Sequence, residues 1–267
     1  NKIIRLKNTI FFNYKKWSKY ERKESLKADH IIAVVKEMKN RLVNEYSLNE
    51  KKVTVISNTE YLDFHKNTKE VDLPENLKNK FLITYIGGIG PHRGIDTAVE
   101  GMSIIKDSHK DAVLLIIGGG SKEVINKLKS IIDEKNLHEN VILFGKVDIS
   151  EVSSYMKNSN LNIIPHHSNN HTNNTIPHKL FQILLSKQPI LVSSSSPLKR
   201  IIEENDAGYI HKASNKESFA EEVSKIYNNY DSAKQKAING YNACVNKELN
   251  WEKTGSELIE FYKTLSN

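Results

Sequence analysis

A single cysteine, Cys244, stands in 267 residues. That scarcity excludes an internal disulfide framework and a cysteine-built metal centre. It fits a reducing compartment, so the expected setting is the cytoplasm. Cys244 itself reads as a small packed apolar side chain. Long hydrophobic runs are also missing: the longest are of strand length, well short of a membrane span. The basic N-terminus lacks a following apolar segment, so no secretory leader is expected. The numbering opens on Asn1 rather than methionine, which reads as an excised or processed piece of a longer chain. With 38% hydrophobic residues, the chain can bury one full core and part of a second.

Acidic charge is scarce at one end only. Residues 1–28 carry nine Lys or Arg (Lys2, Arg5, Lys7, Lys15, Lys16, Lys19, Arg22, Lys23, Lys27) against two acids, Glu21 and Glu24. That surplus of seven equals the net charge of the whole chain, +7. A nucleic-acid binder would spread basic charge over a folded face, and the balanced remainder does not, so no nucleic-acid partner is expected. Residues 9–28 mix these cations with Phe11, Phe12, Tyr14, Trp17 and Tyr20. One reading is a peripheral contact with anionic lipid on the inner face of the plasma membrane. The other has the aromatics packing on neighbouring protein with solvated lysines.

What is present alternates. Apolar, mostly β-branched runs at 30–35, 53–56, 81–86, 112–117, 141–144, 161–165, 189–192 and 208–211 read as strands buried on both faces of a parallel sheet. Helix-period segments at 94–106, 122–136, 150–158, 177–187 and 217–229 lie between them. The pattern predicts right-handed βαβ units in a doubly wound α/β fold. A charged stretch at 63–79 with Pro74 is the expected linker. Two strands and two helices precede it, and a Rossmann-like domain of about six strands follows over 80–247. Residues 248–267 read as a terminal amphipathic helix with Asn250 as N-cap and an apolar stripe of Trp251, Leu258, Phe261, Tyr262 and Leu265 packed on the core.

Ligands of such sheets bind beyond the carboxyl ends of the strands. The candidate loops are therefore 87–94, 118–121, 145–147, 165–177 and 193–196, all rich in Gly, Ser, Asn or His. In the first, Gly87-Gly88-Ile89-Gly90-Pro91-His92-Arg93-Gly94 precedes a helix, so small residues, free N–H groups and a forked cation meet where a phosphate could sit. The dinucleotide pattern G-x-G-x-x-G fails at Arg93, which disfavours NAD. His166, His167, His171 and His178 lie in or beside the fourth loop. It holds no carboxylate and no helical His pair, so the histidines read as polar lining and no metal is expected. The run 193–196 lacks a nucleophile elbow, and Ser196 before Pro197 reads as a helix cap.

Taken in order, these segments resemble the retaining glycosyltransferases of family 4, also called group 1. Six motifs carry the resemblance, over most of the chain. They are Ala28-Asp29-His30-Ile31-Ile32-Ala33-Val34; Val55-Ile56-Ser57-Asn58; Tyr85-Ile86-Gly87-Gly88 followed by Arg93-Gly94-Ile95-Asp96; Leu115-Ile116-Ile117-Gly118-Gly119-Gly120; Val141-Ile142-Leu143-Phe144-Gly145; and Thr175-Ile176-Pro177-His178-Lys179-Leu180-Phe181-Gln182. The resemblance implies a GT-B enzyme, in which two Rossmann-like domains face each other across a cleft and the C-terminal one holds a nucleotide-sugar. Residues 1–62 would then be the end of the acceptor-binding N-domain and 248–267 a helix packing toward it. The implied donor-binding residues are Gly87, Gly88, Arg93, Gly118, Gly145, Lys146, Asn174, Thr175, Ile176, Lys179 and Gln182, with Arg93 the basic group on the phosphates and no metal required.

Four positions depart from the family pattern. Gly88 replaces a second basic residue, Asn174 and Gln182 replace the two acids of E-x7-E, and Lys187 replaces a glycine. An amide in place of a carboxylate forgoes about 1–2 kcal/mol per hydroxyl contact. The leading expectation is sugar transfer to a glycan or lipid-linked acceptor in bacterial surface polysaccharide assembly, with this chain by itself unable to turn over. A catalytically degenerate binding or accessory protein is the second reading. A sugar-nucleotide epimerase is the third, disfavoured because the loops show no paired carboxylates.

Overall fold

The structure is a computed structural model describing residues 13–66, 68–247 and 249–265. Lys2, Arg5, Lys7, Phe11 and Phe12 of the basic segment lie outside the described residues. The chain divides into two compact units, one ending at Ser57 and one beginning at Asn58.

In the first unit α1 (Tyr14–Lys27) is capped by Asn13, whose side chain accepts from Lys16 N at 3.2 Å. Strands β1 (Ile31–Ala33) and β2 (Val53–Val55) pair in parallel around α2 (Lys36–Tyr46). Ala33, Leu42, Tyr46, Leu48 and Val53 form its core. Arg41 ties α2 to α1 through two hydrogen bonds to the Glu21 carboxylate, at 2.7 and 2.9 Å.

The second unit is a six-stranded, wholly parallel sheet. Its strands are β3 (Phe81–Ile86), β4 (Ala112–Ile117), β5 (Val141–Gly145), β6 (Leu161–Ile164), β7 (Ile190–Ser193) and β8 (Tyr209–His211). Their spatial order is β5-β4-β3-β6-β7-β8, the doubly wound arrangement expected from the alternation of segments. Every residue of β4, β6 and β7 is buried, as near-continuous apolar runs require. The helices are α3 (Ile95–Ile105), α4 (Lys122–Lys135), α5 (Val152–Lys157), α6 (Lys179–Leu185), α7 (Ser196–Asn205), α8 (Lys216–Asn228), α9 (Tyr230–Asn246) and α10 (Trp251–Leu265). Two of them, α7 and α9, fall outside the helix-period segments read from the sequence: α7 buries Pro197, Leu198, Ile201 and Ile202, and α9 buries only Ala233, Ala237, Gly240, Ala243 and Cys244. Burial pushes the Cys244 thiol up to about 12, leaving it inert.

Several expectations are corrected. Residues 58–62, expected with the N-terminal segment, group with the second unit: the Glu60 carbonyl accepts from Trp251 N at 2.9 Å, and Thr59 and Thr254 share a 2.6 Å hydroxyl contact. The stretch 63–79 lies along this unit, with Lys69 N donating to Ser150 O and Val71 N to Ser154 Oγ, both at 2.9 Å. The cap position of α7 is Ser195, not Ser196, and no side-chain cap bond forms there. In α10 Asn250 does cap, accepting from Lys253 N at 2.9 Å, and of the apolar stripe Trp251, Leu258 and Phe261 are half-buried while Tyr262 and Leu265 are exposed. Thr254 is its buried residue, and Ile259, off the stripe, is 59% exposed.

Candidate functional site

The chain runs β3→β4→β5 toward one edge, then returns to lay β6 against the other side of β3. The topological switch point therefore falls between β3 and β6, where the loops leaving them diverge. Both loops are rich in the residues singled out from sequence.

Glycine lets these loops touch. Gly94, at φ +65°, would drive a Cβ to 1.8 Å from the Pro165 carbonyl, so the β3–α3 and β6–α6 loops meet backbone to backbone. His167 N then donates to His92 O at 3.1 Å. Gly118, at φ +147°, would place a Cβ 1.9 Å from the Gly87 carbonyl. Hydrogen bonds continue the lacing across strand ends: Gly87 N to Ile117 O at 2.9 Å, and Gly118 N to Gly145 O at 2.7 Å. The role of Gly118 is thus close packing of backbones. Gly88 is different, being exposed with open space on its side-chain face. Its carbonyl accepts from the Tyr85 hydroxyl at 2.7 Å.

Around this loop gather groups of one sign. Arg93 donates to Nε2 of the buried His166 at 3.1 Å. Burial, then the charges of Lys179 and Arg93, hold His166 down at about 2, so it is a neutral acceptor. Lys179, the first residue of α6, donates to the Ile86 carbonyl at 3.2 Å and lies 3.7 Å from the centroid of the Tyr85 ring. Burial pushes the Tyr85 hydroxyl up to about 12. Among the described residues, neither Arg93 nor Lys179 pairs with a carboxylate. Two cations beside this loop, neither paired with a carboxylate among the described residues, have the charge an anion would need. The loop also borders a cavity of about 370 Å³ walled by Ile89, Pro91, Ile95, Val124 and Leu128. That cavity is largely apolar and neither cation lines it, so charge favours the loop.

The remaining expected residues divide. Lys146 is exposed, with its chain so close over Gly119 that a Cβ there would lie 2.5 Å from Lys146 Cε. Gly145 is exposed at the end of β5. Asn174 Nδ2 donates to Asn170 O at 2.7 Å and Thr175 Oγ1 to His171 O at 2.8 Å, so both side chains serve the shape of their own loop. Ile176 is buried. The four histidines part company. His166 joins Arg93. His167 bridges Asp96 at 3.0 Å and Ser214 at 2.7 Å. His171 stands 5.5 Å from the His92 ring, and His178 lies 2.9 Å from the Thr59 carbonyl. Among the described residues no three His, Cys, Asp or Glu gather as metal ligands.

Gln182 meets a partner that sequence reasoning missed. Its Nε2 donates to the buried Glu60 carboxylate at 2.8 Å, which His178 also approaches at 3.5 Å. A glutamate at 182 would face a second carboxylate there, so the amide is the compatible choice. Glu60 sits in a polar stretch with nothing local to mark it. Tyr85 was hidden inside an apolar strand, and only its place two residues before Gly87 hinted at a role.

A Rossmann-like domain of GT-B type is thereby defined by its topology. Residues 67–243 match the profile of glycosyl transferases group 1, and the chain belongs to that family. It is 24% identical over 251 residues to the capsular polysaccharide biosynthesis glycosyltransferase CapM of Staphylococcus aureus, covering 88% of this chain and 63% of that protein. Its fold is similar to a glycosyltransferase from Rickettsia africae, with TM-score 0.77 and 19% identity over 94% of this chain and 67% of the other. It is also similar to Anabaena HepE, solved in complex with UDP, with TM-score 0.72 and 11% identity over 89% and 64%. The chain thus spans less than two thirds of CapM and of HepE.

Proposed function

We propose that this chain is the donor-binding half of an enzyme that moves a sugar from a nucleotide-sugar to a glycan or lipid-linked acceptor in surface polysaccharide assembly. The observation that carries the reading is the pair of cations at the 87–94 loop, Arg93 within it and Lys179 against Gly87 and the Ile86 carbonyl, neither paired with a carboxylate among the described residues. A departing nucleoside diphosphate is the anion such a site suits, and its developing charge is what fixed cations stabilise. Those cations, rather than a metal, would take the phosphates. Likeness to CapM, a capsule-assembly enzyme, supports the pathway. Retention of anomeric configuration and transfer of a hexosyl group follow from the family resemblance.

The test is calorimetric titration with UDP, GDP, ADP and CMP, with and without EDTA. One nucleoside diphosphate should bind irrespective of EDTA, and Arg93→Ala should weaken it tenfold or more. A full-strength complex with the variant would remove Arg93 from the site. A second reading, a binding partner that keeps the nucleotide and no longer transfers, is favoured by Asn174 and Gln182, whose amides are engaged within the protein. Nucleotide binding without donor hydrolysis or transfer by the full-length protein would select it. We further propose that α1 makes a peripheral contact with anionic lipid. No helix among the described residues is long and apolar enough to cross a membrane.

A further inference from the structure

Among the described residues, every partner of the buried Glu60 carboxylate is a hydrogen-bond donor. Tyr61 N donates to Oε1 at 2.9 Å. Gln182 Nε2 at 2.8 Å and His178 Nε2 at 3.5 Å converge on Oε2. His178 Nε2 carries its proton, because its nearer partner, the Thr59 carbonyl at 2.9 Å, can only accept.

The Gln182 amide therefore has one orientation open to it. A carboxylate accepts and does not donate, so Nε2 turns to Glu60 and Oε1 turns away. Reversed, the amide would set its lone pairs against a buried charge. The backbone at 182 is held as well: His65 Nε2 donates to its carbonyl at 3.2 Å. Gln182 Oε1 accepts from no described residue, and the side chain is half-buried, so this acceptor stays available.

The acceptor stands beside the proposed phosphate cations. Gln182 follows Lys179 by three residues in α6, which makes the two neighbours on the helix surface, and Lys179 reaches the 87–94 loop. Arg93 and Lys179 are donors only, which suits phosphate oxygens. The ribose next to those phosphates presents hydroxyls, and a hydroxyl held in place needs an acceptor.

We propose that Glu60 is a positioning residue for the nucleotide: by holding Gln182 Nε2 it fixes Oε1 as an acceptor for a ribose hydroxyl, and so makes the site favour ribonucleotides over their deoxy forms. This rests on the nucleotide-sugar reading above and adds a selectivity that reading does not require. A glutamine by itself can donate or accept, and Glu60 removes the choice. The charge stays one residue behind the ligand, and a neutral oxygen of fixed direction meets it.

Calorimetric titration of this chain with UDP, GDP and ADP finds the nucleotide that binds, and its 2′-deoxy and 3′-deoxy forms then read the contact. One deoxy form should bind at least about tenfold more weakly than the ribonucleotide. Glu60→Gln frees the amide to turn, and that ratio should fall to about threefold or less. Exchanging the pair, Glu60→Gln with Gln182→Glu, keeps the contact between them and puts a carboxylate at the ligand, so the ratio should return to about tenfold or more. A carboxylate needed only for the fold would weaken the ribo and deoxy forms together and leave the ratio alone. Should Glu60→Gln fail to fold, the exchanged chain decides: a ratio kept supports the proposal, and a ratio lost overturns it. A natural chain that binds ribo and deoxy forms equally, or a Glu60→Gln chain with the full ratio, also overturns it and leaves the nucleotide reading standing. Absence of binding by every nucleoside diphosphate removes both.

Discussion

At Gln182 a departure from the family pattern has a local cause, the buried Glu60 carboxylate 2.8 Å away. Gln182→Glu would force two carboxyl groups to share that space, raising the folded-state pKa of the pair above the unfolded value near 4.3. Stability from a carboxyl of raised pKa is present at low pH and lost as pH climbs through the folded pKa. The variant should match the natural chain near pH 5 and lose about 1–3 kcal/mol by pH 8, read by urea denaturation at both values. Equal stability at both would show that Glu60 does not confront the new carboxylate. Lys187 is the converse case. It stands at φ +58°, the conformation for which the family keeps glycine, and its ammonium lies 4.0 Å from the Tyr241 ring centroid. A left-handed non-glycine residue costs roughly 1 kcal/mol. The glycine pattern and Arg93 were legible as single residues. Glu60 and Tyr85 were not, because their meaning comes from residues far away in the chain.

Among the elements, α1 gives the proposed lipid contact a defined surface. Its half-buried side carries Ser18, Glu21 and Ser25, and Arg41 holds Glu21 there. The opposite side exposes Lys16, Lys19, Tyr20, Lys23, Leu26 and Lys27. Each lysine near an anionic bilayer contributes about 1 kcal/mol, screened by salt. The chain should co-sediment with phosphatidylserine-containing vesicles at low salt and be released at high salt. Replacing Lys16, Lys19 and Lys23 by Glu should abolish co-sedimentation. Retention on neutral phosphatidylcholine vesicles, or no retention on either, would refute an electrostatic lipid contact. The inner strands β4, β6 and β7 were readable because two-sided burial leaves unbroken apolar runs. Helices were readable only where apolar residues recur at helical spacing. The small-residue face of α9 leaves no such trace, and the stripe of α10 marks amphipathicity without naming what covers it.

For the molecule as a whole, buried neutral histidines set the response to acid. Burial holds His65 and His211 at about 4, and His166 at about 2. Each would bind a proton below about 6.5 if unfolded and refuses it when folded, so protons favour unfolding. The melting temperature should fall steadily from pH 7 to 5, a window in which ordinary carboxylates have barely begun to titrate. His211→Leu should flatten that slope, by at most about 1.4 kcal/mol per pH unit. A melting temperature constant across the window would show these rings already charged in the fold. The doubly wound sheet was legible because its alternation of segments is global. The site was legible only as a set of loops: which side chains turn toward the switch point, and which are spent on loop shape as Asn174 and Thr175 are, depends on backbone paths no local pattern records.

The glycine contacts at these strand ends also bear on how such a protein can diverge. At Gly94 and Gly118 any side chain would enter a neighbouring backbone within 2 Å, so mutation there is barred whatever the ligand. At Gly88 there is room in front and an exposed surface to fill. Variation among descendants of this sequence is thereby channelled to position 88: a new side chain there can alter what the loop binds while its scaffold is inherited unchanged.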